Sequence, residues 1–180
     1  MLRQFAVADA LAQAIERKDA RLLVRSARPA DLETPVALLD EFITPVAAFY
    51  VRSHMLAPQV DLRSWRLAID GDVAASLSLS LDDLRAMPAA SMTVTLECAG
   101  NGRAFFEPSV AGVQWGRGAV GTARWGGVRL ADLLRRAGVK RGTAFVRVGA
   151  GDRPFGSQPP FVRQLPLAKA CTRTRSSLSQ

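Results

Sequence analysis

The stretch that most constrains this chain is Thr93–Arg103, Thr-Val-Thr-Leu-Glu-Cys-Ala-Gly-Asn-Gly-Arg. Its first half alternates β-branched and apolar residues, the pattern of a buried strand. The strand then runs into Cys98 and a small polar turn containing Gly100, Asn101 and Gly102. Glycine lets backbone come close to a ligand, and Arg103 can offer planar donors to an anion. A thiol at a strand end, followed by such a turn, is a geometry for presenting sulfur to a bound group.

The rest of the chain bounds what that group can be. With 180 residues, 48% of them hydrophobic, the chain can bury one substantial core, and one domain is expected. No run of about 18 apolar residues occurs, so no membrane span is expected. The N-terminus lacks a charged region followed by an apolar segment and cleavage site, and it carries no twin arginine. A cytoplasmic location is the expectation. The net charge of +8 comes from 24 Lys and Arg against 16 Asp and Glu. These arginines are scattered, with no basic run or aromatic platform, which argues against nucleic acid and for an anionic, phosphate-bearing ligand. Cys98 and Cys171 make no disulfide framework, and reduced thiols are expected.

In chain order, residues 1–28 read as an N-terminal helical segment, with Phe5, Ala8, Leu11, Ala12 and Ile15 at helical spacing. Proline breaks the next stretch, leaving a short helix around Val36–Leu39. Phe49, Tyr50 and Val51 then suggest a strand from which Arg52, Ser53 and His54 emerge. His54 is the chain's single histidine. A lone histidine is more often a hydrogen-bonded structural residue than a ligand, but Arg52-Ser-His54 after an apolar run favours an anion or cofactor site.

Trp65–Leu79 reads as two strands around an Asp-Gly turn, with Trp65 in the core. Ser80-Leu-Asp-Asp83 reads as a capping-box helix start, and Leu84 is expected in the core too. After the Cys98 strand comes a glycine-rich connection from Ala104 to Gly121. A helix is expected to open at Gly127 and close at Gly138, with Leu130, Leu133, Leu134 and Ala137 on one face. Thr143–Val148 reads as a further strand. Strands and helices mix without a βαβ rhythm, so the class is α+β.

Thr-Leu-Glu-Cys-Ala-Gly-Asn-Gly-Arg103, Trp115, Gly118-Ala119 and Thr122-Ala-Arg-Trp-Gly-Gly-Val-Arg-Leu130 together resemble the molybdopterin-binding domain of the sulfite oxidase family. Tyr-Val-Arg-Ser-His54 is similar to that family's pterin-gripping motif, with Ser53 where the family has Asn. The resemblance implies a mixed-sheet α+β domain whose N-terminal portion is residues 29–170. It implies Mo-molybdopterin as cofactor, with Cys98 as the protein's thiolate ligand to molybdenum. It further implies that Tyr50, Val51, Arg52, Ser53, His54 and Asp152 contact the cofactor. Arg52 and Arg103 match arginines near the metal that would hold an oxyanion, so Arg52, Cys98 and Arg103 form the implied catalytic set. The implied reaction is oxygen-atom transfer on a small anionic substrate such as sulfite, with reoxidation by an external electron acceptor.

The family's second cofactor-gripping segment, an active-site tyrosine and a dimer-forming β-sandwich would all lie beyond residue 180. Leu165-Pro-Leu-Ala-Lys-Ala170 still resembles the family. Residues 171–180 have one large aliphatic residue and no periodicity, and are expected to be disordered. Cys171-Thr-Arg-Thr-Arg fits a codon run for Leu-His-Pro-Asp-Thr read out of frame, so Cys171 is given no role.

Around Cys98 three readings stand. A lone buried cysteine is usually a small hydrophobe, which the length of the match outweighs. A partner-binding remnant without cofactor would tolerate Cys98→Ser. A cysteine nucleophile paired with His54 would be alkylated and act without metal, yet no third orienting residue is evident. Arg124 and Arg129 are either pocket wall or surface ion pairs, and Trp115 and Trp125 are core and wall.

Overall fold

The computed structural model describes residues 16–55, 58, 60–151, 157 and 159–172. Nine strands are described: β1 (Leu23–Ala27), β2 (Ala30–Glu33), β3 (Val51–Arg52), β4 (Leu67–Ile69), β5 (Leu77–Leu79), β6 (Ala89–Glu97), β7 (Val120–Val128), β8 (Phe145–Gly149) and β9 (Val162–Pro166). The described α-helices are α1 (Leu81–Arg85), α2 (Leu130–Ala137) and α3 (Leu167–Ala170). The class is α+β, as the sequence suggests. The described chain divides into two compact units: residues 1–58, 93–124 and 152–160, and residues 59–92, 125–151 and 161–180.

The first unit is built on an antiparallel sheet in the order β1-β2-β3. Every residue of the central strand β2 is buried. Because side chains alternate along a strand, Ala30 and Leu32 share one face while Asp31 and Glu33 share the other. A strand with two carboxylates facing inward needs partners for both, and the site is built on those partners. Leu22, Ala48, Met55, Trp115 and Ala119 complete the apolar core here.

β1 corrects part of the expected helix over residues 1–28. Residues 1–15 lie outside the described residues, but Leu23–Ala27 is a strand. The helical spacing of apolar residues ends at Ile15, and beyond it pairing with β2 decides the conformation, since local propensity is a weak signal on its own. The register slips between Val24 and Ser26, leaving Arg25 as the bulged residue, and bulges re-aim a side chain. Arg25 Nε reaches the Glu33 carboxylate at 2.6 Å.

Between β2 and β3 the chain makes the expected short helix, a single 3-10 turn at Val36–Leu38. Thr34 Oγ1 donates to the Ala48 carbonyl at 2.7 Å, which closes this segment back on itself. Thr44 exchanges two hydrogen bonds with Thr122: its amide donates to the Thr122 carbonyl, and its hydroxyl accepts the Thr122 amide.

β6 and β7 pair as a two-stranded sheet, with Thr95 and Thr122 hydroxyls 2.7 Å apart across it. The strand before Cys98 is therefore present, but it is mostly exposed rather than buried. Its only sheet neighbour among the described residues is β7, so its apolar alternation is left uncovered.

In the second unit β4 and β5 form the expected hairpin, Leu67 opposite Leu79 and Ile69 opposite Leu77. Gly71 takes a φ of 89° in its turn. α1 begins with a complete capping box, Ser80 and Asp83 satisfying each other's backbone amides. Gly127 lies in β7 and opens no helix; α2 starts at Leu130 behind Arg129. α2 buries Ala131, Leu133, Leu134 and Ala137 and ends at Gly138, whose φ of 69° suits a left-handed cap. Trp65 and Leu84 are half-buried rather than core. β8 and β9 pair antiparallel, and α3 follows. No helix among the described residues is long and apolar enough to cross a membrane.

Candidate functional site around Cys98

Cys98 sits half-buried, without a disulfide, where β6 gives way to the polar turn. Its backbone is held on both sides: the Cys98 amide donates to the Ala119 carbonyl at 2.9 Å, and its carbonyl accepts the Asn101 amide at 2.8 Å. Asn101 ties the turn to the facing segment. Its side-chain oxygen accepts the Ala119 amide at 3.0 Å, and its amide nitrogen donates to Glu97 at 2.8 Å. The Gly102 and Ala104 amides then donate to the carbonyls of Gly116 and Trp115. The thiol thus rises from a turn bound to residues 115–119, and its position depends on theirs.

Residues 115–119 are in turn fixed by β2. Glu33 accepts the Gly116 amide on Oε2 at 2.9 Å and the Gly118 amide on Oε1 at 3.0 Å. Burial alone would push this carboxyl up; the two amides and the Arg25 guanidinium outweigh it and hold the group below its ordinary range. Gly118 is required by space: a Cβ there would collide with the Thr34 carbonyl.

The second candidate segment, Tyr50 to His54, lies on and around β3. Tyr50 meets Trp115 edge-on, ring centroids 6.4 Å apart. Burial first, and then the electrostatic influence of Cys98 and Glu97, pushes the Tyr50 hydroxyl up. Tyr50 therefore stays a protonated donor. Arg52 Nη1 donates to Asp31 at 3.2 Å and to the Ser53 carbonyl at 2.6 Å, while Nη2 faces His54 Nδ1 at 3.1 Å. The Ser53 amide donates to Asp31 at 2.9 Å.

The other sequence candidates fall differently. The Arg103 guanidinium folds over Gly100 and Gly112 of its own loop and donates to the Val113 carbonyl at 3.4 Å. Asp152 lies outside the described residues. Arg124 and Arg129 are exposed, as is much of Trp125. Trp115 is fully buried. A cavity of about 560 Å³ opens in the second unit between β4, α2 and β8, and none of the candidate residues lines it.

Sequence reading passed over Asp31, Glu33 and Arg25. Their partners are 8 to 85 positions away, and no local spacing marks such contacts. The one available signal was two carboxylates in the short run Ala30-Asp-Leu-Glu33, too charged for an ordinary half-buried strand.

The donor set suits a large cofactor that brings most of a metal's ligands with it. Among the described residues no group of three His, Cys, Asp or Glu could cage a bare ion. One soft thiolate, a guanidinium, an imidazole and a phenol can complete a metal's shell and hold an anionic organic ligand. Trp115 Nε1 is buried with no hydrogen-bond partner among the described residues. A buried donor left in that state calls for an acceptor.

Known proteins agree with this chemistry. The family described as oxidoreductase molybdopterin binding domain matches residues 54–178. Mitochondrial sulfite oxidase of Mus musculus is 40% identical over 156 residues, which are 83% of this chain and 28% of that protein. The NADH nitrate reductase of Volvox carteri is 40% identical over 165 residues, 86% of this chain and 19% of its own length. Among solved structures, the sulfane dehydrogenase SoxCD of Paracoccus pantotrophus matches with a TM-score of 0.70 at 27% identity, over 89% of this chain and 40% of that one. The chain spans well under half the length of each.

Proposed function

The chain belongs to the family of oxidoreductase molybdopterin-binding domains, and from that premise we propose that it holds Mo-molybdopterin with Cys98 as the protein ligand to molybdenum. The activity we propose is sulfite-oxidase-like oxygen-atom transfer on a small oxyanion. One observation carries the reading: a single half-buried thiol on a turn fixed through Ala119 and Asn101, with no alternative metal cage among the described residues.

When bound, the cofactor supplies the two-electron redox chemistry and the oxygen transfer. The chain's own residues bind and orient. Cys98 contributes a thiolate, the form of cysteine that ligates metals. Tyr50, Val51, Ser53 and His54 would hold the pterin, with the Tyr50 hydroxyl kept as a donor. Among the described residues Arg52 has donors left over after Asp31, Ser53 and His54 are served, and these would attract and orient an oxyanion. Arg103 donates to the Val113 carbonyl of its own loop, and the remaining donors of its guanidinium would join Arg52 in holding the oxyanion. Sulfite is the substrate favoured by the relatives' names, which include sulfite and nitrate, both small oxyanions.

The test is elemental analysis of protein purified from a host that makes the cofactor. Near-stoichiometric molybdenum is expected in the wild type and in Cys171→Ser, and its loss in Cys98→Ser. Absence of molybdenum from the wild type, or its retention in Cys98→Ser, would overturn the proposal.

A further inference from the structure

Strand β2 carries two buried carboxylates on one face, Asp31 at 1% exposed and Glu33 at 3%. Each is committed in the same way, to backbone N–H of a segment elsewhere in the chain and to one arginine. Asp31 Oδ1 accepts the Ser53 amide at 2.9 Å and Arg52 Nη1 at 3.2 Å. Glu33 accepts the Gly116 and Gly118 amides and Arg25 Nε. Among the described residues the two carboxylates share no partner.

The Asp31 contacts continue a ladder that has stopped. β2 and β3 pair as Asp31 with Arg52 and Leu32 with Val51, and Ser53 lies just past the strand. Ser53 gives its amide to the Asp31 side chain, and its carbonyl accepts Arg52 Nη1 at 2.6 Å. Asp31, Arg52 and Ser53 thus close a small ring that fixes the chain where it leaves the sheet. The carboxylate does this better than a ladder carbonyl would, because its hydrogen bonds are charge-assisted.

What the two carboxylates hold is the pair of segments that carry the candidate site. Asp31 holds residues 52 and 53, whereas Glu33 holds residues 116 and 118, on which the Cys98 turn depends through Ala119. Residues two apart on a strand stand about 7 Å apart on one face, a spacing that regular backbone does not let drift. We propose that Asp31 is a positioning residue and that β2 is a two-point template: Asp31 places the Arg52–Ser53 segment at a set separation from the thiol that Glu33 places. A rigid ligand gripped at both ends binds well only when its two grips already stand at the right separation. Asp31 never touches that ligand. This deepens the reading that both segments grip one cofactor, and rests on it only for what the template serves.

Amide hydrogen exchange, read by NMR on the full chain without cofactor, tests the template itself. In Asp31→Ala the Ser53 amide is expected to exchange about tenfold faster, the scale of one lost hydrogen bond to a charged group. Gly116 and Gly118 should keep their wild-type rates there. Glu33→Gln is expected to speed exchange at Gly116 and Gly118 and to leave Ser53 as it was. Should Asp31→Ala fail to fold, Asp31→Asn decides: it keeps one acceptor oxygen but not the charge, and Ser53 should still exchange faster than in wild type. A wild-type Ser53 rate in the folded variant would overturn the proposal. So would a loosening of all three amides together, which would mean general damage to β2 rather than two separate anchors.

The second readout is molybdenum and pterin content of the same proteins from a cofactor-making host, beside the alkylation rate of Cys98 without cofactor. Asp31→Asn is expected to lower both contents several-fold while Cys98 is alkylated at the wild-type rate. Wild-type contents in Asp31→Asn would overturn the proposal, as would cofactor loss in step with faster alkylation of Cys98. A wild type without molybdenum would sink the functional reading, and the exchange rates would still uphold or refute the template.

Discussion

Glu33 accepts the amide of Gly118 at 3.0 Å across 85 positions of sequence. The same carboxylate takes Gly116 and Arg25, so one buried side chain fixes the segment to which the Cys98 turn is bound. Removing it leaves two inward amides and a guanidinium without their acceptor. Glu33→Ala is expected to cost about 3 kcal/mol, the scale of a broken buried ion pair. Glu33→Gln, which keeps one acceptor oxygen, should cost less. Urea denaturation midpoints measure both, and equal stability of Glu33→Ala and wild type would refute the role.

The Glu33 hydrogen bonds also set a pH dependence. Burial raises the carboxyl, but the Gly116 and Gly118 amides and Arg25 together hold it below its ordinary value. A folded-state pKa below the unfolded one, about 4.3 for glutamate, adds stability that is present above the unfolded value. That stability is lost as pH falls through the folded value. The stability gap between wild type and Glu33→Gln should therefore be constant from neutrality down to about pH 5 and close on further acidification. Subtracting the two proteins removes the other carboxyls from the comparison. A gap that persists unchanged to about pH 3 would contradict the assignment.

Ser80 gives a local counterpart. Its hydroxyl accepts the Asp83 amide at 3.1 Å, and Asp83 accepts the Ser80 amide at 2.8 Å. Ser80→Ala is expected to cost about 1 kcal/mol, a usual value for a lost N-cap. Asp83→Asn should cost less, since it keeps an acceptor for the Ser80 amide. Thermal or urea melts of the two variants test that order.

The contrast between Ser80 and Glu33 explains how much could be read in advance. The capping box, the Asp-Gly hairpin and the Gly138 helix end are contacts within a few residues, and each was legible as spelling. The Cys98 turn was legible as a motif, and Arg52 and His54 do emerge together at a strand end. What organises them was not, because Asp31 reaches Arg52 and Ser53, and Glu33 reaches Gly116 and Gly118, across 21 to 85 positions. Leu23–Ala27 read as helix by extension of the apolar spacing from Phe5 to Ile15, whereas pairing with β2 makes it a strand. The exposure of β6 has the same origin: alternation predicts a strand, but only its neighbours decide whether a face is covered.

Gly118 offers the sharpest test of the route from β2 to the thiol. A Cβ there would run into the Thr34 carbonyl and lie 2.9 Å from Glu33 Cγ. The first obstacle is backbone, and the Thr34 amide is itself bound to the Gly118 carbonyl at 3.2 Å, so neither side can yield cheaply. Gly118→Ala is expected to destabilise by at least the roughly 1–3 kcal/mol of an overpacked core. It should also lower molybdenum content, because Ala119 next door holds the Cys98 amide. Gly126 is the control: a Cβ there meets nothing within 4 Å, so Gly126→Ala should stay within about 0.5 kcal/mol of wild type. The paired melts, read beside metal content, separate damage transmitted to Cys98 from a general intolerance of added methyl groups. If the two variants behave alike, the close approach of residue 118 to Thr34 is not what positions the thiol.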